Sequence, residues 1–241
     1  EIYTLSLHDA LPISIVRVLV EVVSALVRAG DAERARRVAE EAVSAAGRIE
    51  EPQERARALV EAADALARAG SIDEALKIIR MINEPSSRSH AQSAVIKALV
   101  GKGSSDEAVN MLHTAIAEVE EFVRRQDAAD YCATLAAACV DAADLLADSV
   151  DAEPAERDRW LGLARSALAR SWLYGAPVWD RFDVLLRVAP DLATRLVEER
   201  LLAESEPEAA GPASSVDPTD PAGPEEPEGS EGPGGGTSSS R

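Results

Sequence analysis

Val18–Gly30 reads VLVEVVSALVRAG, and Ala58–Gly70, forty residues on, reads ALVEAADALARAG, with eight of thirteen positions identical. A second register links Ile49–Gly70 to Ile82–Gly103 at an offset of thirty-three. It retains Ile49/Ile82, Glu51/Glu84, Pro52/Pro85, Arg55/Arg88, Ala65/Ala98, Leu66/Leu99 and Gly70/Gly103. Self-similarity at such a period marks a supersecondary unit that buries its apolar face by stacking on copies of itself. The two offsets differ by seven residues, about two turns of helix at ~3.6 residues per turn, an insertion that keeps the same face buried.

Each unit reads as helix A, a glycine-ended turn and helix B. Leu59, Ala62, Ala63 and Leu66 recur at helical spacing and form the apolar stripe of one helix A. Gly30, Gly70 and Gly103 stand where a helix stops at positive φ, which glycine adopts without a Cβ clash. An alanine follows five residues later each time (Ala35, Ala75, Ala108), small enough to let helices A and B approach closely. Asp31 and Ser71 are expected as N-caps, the second with Glu74 as a capping box. Pro52 and Pro85 fall in the first turn of the next helix A, where a missing N–H costs little. Further helices are expected over Asp127–Ser149, Pro154–Arg170, Pro177–Ala189 and Pro190–Ala203. The expected fold is therefore all-α: an α-solenoid of antiparallel helix pairs, with repeats over 15–126 and divergent or capping pairs over 127–203.

The glycine-to-alanine spacing, with a leucine four residues before each glycine (Leu26, Leu66, Leu99), resembles tetratricopeptide repeats over Val16–Val123. No aromatic begins helix A, and the mid-helix position that is small in that family holds Val23, Ala63 or Ile96. The resemblance implies a superhelix whose A helices line a peptide-binding groove. It places Arg17, Arg57 and His90 in one ladder and Ser24, Asp64 and Lys97 in the next. A basic ladder can clamp the carboxylates of a peptide, although exposed charges at such positions usually contribute little. The stretch Arg55–Gly70 with its I-x-E-P linker also looks like helical arrays in large actinobacterial proteins. There such arrays follow a nucleotide-hydrolysing signalling module, so the alternative function is a sensor arm of such a protein. Residues 1–13, EIYTLSLHDALPI, resemble a translated sequencing adapter, and 1–14 are accordingly set apart as an artefact, with the natural N-terminus expected to be missing.

The formal charge of −18 is unevenly placed: nine acids and one arginine from Glu204 onward give the tail −8 and leave −10 on the rest. An acidic body is a poor match to phosphate-rich partners and to anionic membranes, so neither nucleic acid nor membrane is expected as a partner. The 204–241 segment has seven prolines and seven glycines and cannot bury enough apolar surface to offset ordering entropy, so it is expected to be disordered. Cys132 and Cys139, seven residues apart on one helix, lie roughly 10 Å from each other at ~1.5 Å per residue, too far for a disulfide. Two buried thiols suit a reducing compartment, and a cytoplasmic location is expected. Ile15–Val27 is apolar but is interrupted by Arg17 and Glu21 and is too short to span a bilayer.

No catalytic constellation stands out, and no enzyme activity, cofactor or metal is expected. Gly101-Lys102-Gly103-Ser104-Ser105 has Ile96 where a phosphate loop needs its leading glycine, and its glycines already serve a turn. His90 and His113 lack partners at metal-ligand spacing, and Asp141, Asp144 and Asp148 read as a solvated stripe. Five aromatics, Trp160, Trp172, Tyr174, Trp179 and Phe182, crowd one short stretch. They are expected either as a cap on the last repeat or as a binding patch. The function expected from these features is a non-catalytic scaffold for a protein or peptide.

Overall fold

The computed structural model describes residues 5–149 and 153–205, with side chains over 13–149 and 153–202. Among the described residues there are ten α-helices, two short 3-10 turns and no strand. The helices are α1 (Leu5–Arg28), α2 (Ala32–Ala46), α3 (Pro52–Ala69), α4 (Ile72–Met81) and α5 (Pro85–Gly101). They continue as α6 (Ser105–Glu118), α7 (Arg125–Ala147), α8 (Pro154–Leu173), α9 (Phe182–Val188) and α10 (Pro190–Ser205). The described residues up to Arg200 belong to one compact unit; a second begins at Leu201, and its described part is the end of α10. The tail expected to be disordered begins within α10 at Glu204, and 206–241 lie outside the described residues. The boundary expected at Ser14 falls inside α1, which is continuous from Leu5, while residues 1–4 lie outside the description.

The repeat residues have identifiable work. Gly30, Gly70 and Gly103 have φ of 77°, 95° and 78°. The amide after each glycine donates back to the leucine four residues before it: Asp31 to Leu26 at 3.0 Å, Ser71 to Leu66 and Ser104 to Leu99 both at 2.9 Å. That is the Schellman closure of a helix end. Gly175, at φ 102°, repeats the device after α8, where Ala176 donates to the Ser171 carbonyl at 3.0 Å. Ala35, Ala75 and Ala108 are fully buried.

Of the two expected N-caps, one forms and one does not. Asp31 accepts from the Arg34 amide at 3.1 Å, but Ser71 makes no capping bond, although its backbone (φ −88°, ψ 65°) nearly matches that of Asp31 (φ −91°, ψ 70°). At this non-extended geometry the extra atom of aspartate bridges the gap and the serine hydroxyl falls short. The retained Glu51 and Glu84 instead cap α3 and α5, ahead of Pro52 and Pro85. The retained arginines close the same linker: Arg55 donates to the Ile49 carbonyl at 3.2 Å and Arg88 to that of Ile82 at 2.9 Å, with both isoleucines 1% exposed.

Glu84 accepts from the amides of Ser86 and Ser87. Burial tends to raise its pKa, but these hydrogen bonds and the nearby His90 outweigh it and hold the carboxyl below its ordinary 4.5. A depressed folded pKa contributes stability that is present above 4.5 and lost as pH falls through the lowered value. Glu84→Gln is expected to cost about 1 kcal/mol at neutral pH, the usual worth of a cap, and the difference is expected to vanish in acid. Thermal melts of both proteins from neutral to acid pH check this; a difference unaffected by pH would show that the carboxylate charge is irrelevant.

α1 packs on α2 and α3, α3 on α2, α4 and α5, α5 on α4, α6 and α7, and α7 on α8 and α9. The odd-numbered helices thus touch in succession from α1 to α9, while the even-numbered ones lean chiefly on odd neighbours. Alanine makes this possible: Ala62, Ala63, Ala65 and Ala67 of α3 and Ala129, Ala136, Ala142 and Ala143 of α7 are fully buried. No described helix is long and apolar enough to cross a membrane.

Candidate functional site: the odd-helix ladder and the cleft between α4 and α6

The residues of the two expected ladders lie on the odd helices α1, α3 and α5. Arg17 on α1 is exposed and lies 3.9 Å from Glu61 on α3. Arg57 pairs within its own helix with Glu54 at 3.1 Å, and exposed His90 contacts the Ser86 carbonyl through Nδ1 at 2.7 Å. In the second ladder, Ser24 accepts from Arg68 at 2.8 Å, and the same guanidinium reaches Asp64 at 2.6 Å, tying α1 to α3. Lys97 on α5 pairs with Asp141 on α7 at 3.2 Å. Asp144 of α7 accepts from Arg187 of α9, so two members of the expected acidic stripe are held by basic side chains of neighbouring helices. Lys102 donates to the Ala67 carbonyl at the end of α3 at 3.2 Å, and burial lowers its pKa. Many of the charges on these helices are thus spent on neighbouring helices.

The aromatics occupy distinct settings. Trp160 is fully buried, and Trp172 is half-buried against the core. Trp179 and Phe182 lie 5.1 Å apart, with the Arg200 guanidinium 5.7 Å from the Trp179 ring. Tyr174 lines a cleft of about 440 Å³ between α6 and α8, with His113, Glu120 and Arg170.

A larger cleft, of about 570 Å³, opens between α4 and α6. Both helices lean on α5, which supplies the floor through Gln92 and Leu99; Leu76 and Ile79 of α4 and Met111 of α6 give the apolar walls. Ser71, Asn110 and Thr114 add hydrogen-bonding groups.

One end of this cleft is held by a buried polar network. Tyr131 of α7, with no exposed surface, donates to the Gln92 side-chain oxygen, and its hydroxyl lies 3.3 Å from Glu118. Gln92 in turn donates to Glu118 at 3.5 Å, and Arg88 approaches that carboxylate at 3.8 Å. Phe122 meets the Tyr131 ring edge-on at 4.9 Å and 84°. Burial, reinforced by the Glu118 charge, pushes the phenol pKa well above its ordinary 10.0. Next to Tyr131, the Cys132 thiol is pushed up by burial to about 11, and Cys139 to about 12, so neither is a reactive thiolate at neutral pH. Both cysteines are free and buried.

The lining of the α4/α6 cleft supplies carboxylate charge, amide and hydroxyl hydrogen bonds and apolar contact, which are means of binding. Nothing in the sequence marked this cleft, because it is made by the gap between two helices that lean on a third. No group of three or more His, Cys, Asp or Glu placed to hold a metal ion occurs among the described residues. Comparison with models of known families, with curated proteins and with solved structures gave no match to this chain.

Proposed function

We propose that this chain is a non-catalytic helical-repeat scaffold of tetratricopeptide-like kind, an α-solenoid of antiparallel helix pairs that binds proteins or peptides in the cytoplasm. The observation that supports the reading is the unequal packing of its helices. The odd-numbered ones touch in succession, while α4, α6 and α8 lean chiefly on odd helices and leave the two clefts between them, with α6 and α8 joined by the Asp106–Arg159 ion pair. Such an arrangement spends its apolar surface on a stiff spine and keeps the intervals between the other helices open to a ligand. Arg17, Arg57 and His90 offer a second, exposed face on the odd helices.

Panning a random peptide library against the full chain tests the reading. Enriched families that bind saturably, and whose binding slows amide exchange on one face of the helices, are the expected result. No enrichment over an unrelated helical protein would overturn the scaffold reading. Loss of those peptides on Arg57→Glu would assign them to the odd-helix face.

A further inference from the structure

We infer that the cleft between α4 and α6 receives a basic amphipathic helix of a partner protein, an inference that rests on the scaffold reading. The cleft has an apolar middle and an acidic rim. Leu76, Ile79, Leu99 and Met111 form the middle; Asp73, Glu74, Glu107 and Glu118 stand around it, with Arg80 in the lining and Arg88 3.8 Å from Glu118.

Glu118 is held by Arg88, Tyr131 and Gln92, but the other three acids at the mouth are unspent. Asp73, Glu74 and Glu107 make no ion pair among the described residues, whereas on the odd helices Glu61, Asp64, Asp141 and Asp144 are all within salt-bridge distance of a cation. Acids in the first turn of α4 and α6 favour those helices through the helix dipole, and this accounts for their presence at the N-termini. It does not account for their facing one shared cleft. Asp106, also in the first turn of α6, pairs with Arg159 of α8 at 2.9 Å and is not part of the lining.

The shape favours a helix as the occupant. α4 has ten residues, roughly 15 Å of axis at ~1.5 Å per residue, room for two to three turns of a ligand helix. Apolar side chains at i, i+3 and i+4 of such a ligand meet Leu76, Ile79 and Met111, the usual mode of helix-in-groove recognition. Lysines or arginines at its flanks then reach the unpaired carboxylates. Those contacts chiefly set on-rate, orientation and salt dependence, while the apolar contacts hold the complex together.

The test uses the full chain and two fluorescein-labelled synthetic helical peptides with the same leucine face, one flanked by lysines and the other by glutamates. The lysine peptide is expected to bind saturably and the glutamate peptide at least about tenfold more weakly. Raising ionic strength from about 0.05 to about 0.5 M shortens the screening length and is expected to narrow that gap. Met111→Arg, placed in the apolar middle, is expected to weaken the lysine peptide at least about tenfold. The double change Glu74→Lys/Glu107→Lys, at positions not in the core, is expected to reverse the preference between the peptides, and it keeps the test decisive should Met111→Arg disturb folding. Arg37→Glu, at an exposed position of α2 away from the cleft and the ladders, is expected to leave both affinities unchanged. No saturable binding of the lysine peptide, or binding indifferent to the double change, overturns the cleft proposal. If panned peptides still bind in that event, only the cleft's ligand chemistry falls; if panning fails as well, the scaffold reading falls with it.

Discussion

Replacing Trp160 with alanine is expected to lower the unfolding free energy by about 3–5 kcal/mol, the usual cost of deleting a large aromatic from a close-packed core. The side chain is fully buried on α8, which packs chiefly against α7, whose buried face is largely alanine. Alanines have no side-chain length with which to relax into a cavity, which places the cost toward the upper end. Trp160→Phe is expected to be much milder. The indole N–H finds no acceptor among the described residues, and removing an unsatisfied buried donor recovers part of what the lost contact area costs. Urea unfolding followed by circular dichroism measures both. Equal damage from the two substitutions would mean that the bicyclic shape, and not the buried area, is what the site requires.

Tyr131→Phe is expected to cost about 1–3 kcal/mol at neutral pH, the penalty for stranding a buried hydrogen-bond partner. The ring and its edge-on contact with Phe122 survive, but Gln92, itself 4% exposed, loses the hydroxyl that donates to it. The pH dependence identifies the cause. The folded phenol ionises well above 10.0, so its contribution is complete below 10.0 and is lost as pH rises from there toward the raised value. The gap between the native chain and the variant is therefore expected to be constant through neutral pH and to close in alkali. A gap indifferent to alkali would remove the hydroxyl from the account.

The pair architecture was legible because its signals are local. Positive-φ glycines, a leucine that receives the closing amide and an alanine at the crossing all lie within about ten residues of one another, at spacings that backbone geometry dictates. The linker was only half legible. Glu51, Glu84, Arg55 and Arg88 stood out as retained across the offset, yet their work as N-caps and carbonyl clamps needed the backbone path of the turn. Ser71 was favoured as a cap by its place after the turn glycine and by Glu74, yet at a backbone geometry where Asp31 caps its helix the serine makes no capping bond. The α4/α6 cleft and the Tyr131 network were not legible, since Gln92, Glu118 and Tyr131 sit on three different helices and no period in the chain relates them.

The succession of odd helices carries a consequence for how damage spreads. Each helix packs chiefly on helices one or two places along the chain. On the scaffold reading, order is expected to propagate from one crossing to the next, with the terminal members, supported from one side only, opening first. A lesion near α8 is then expected to act as a shortened row, with the stretch from α1 to α5 still standing.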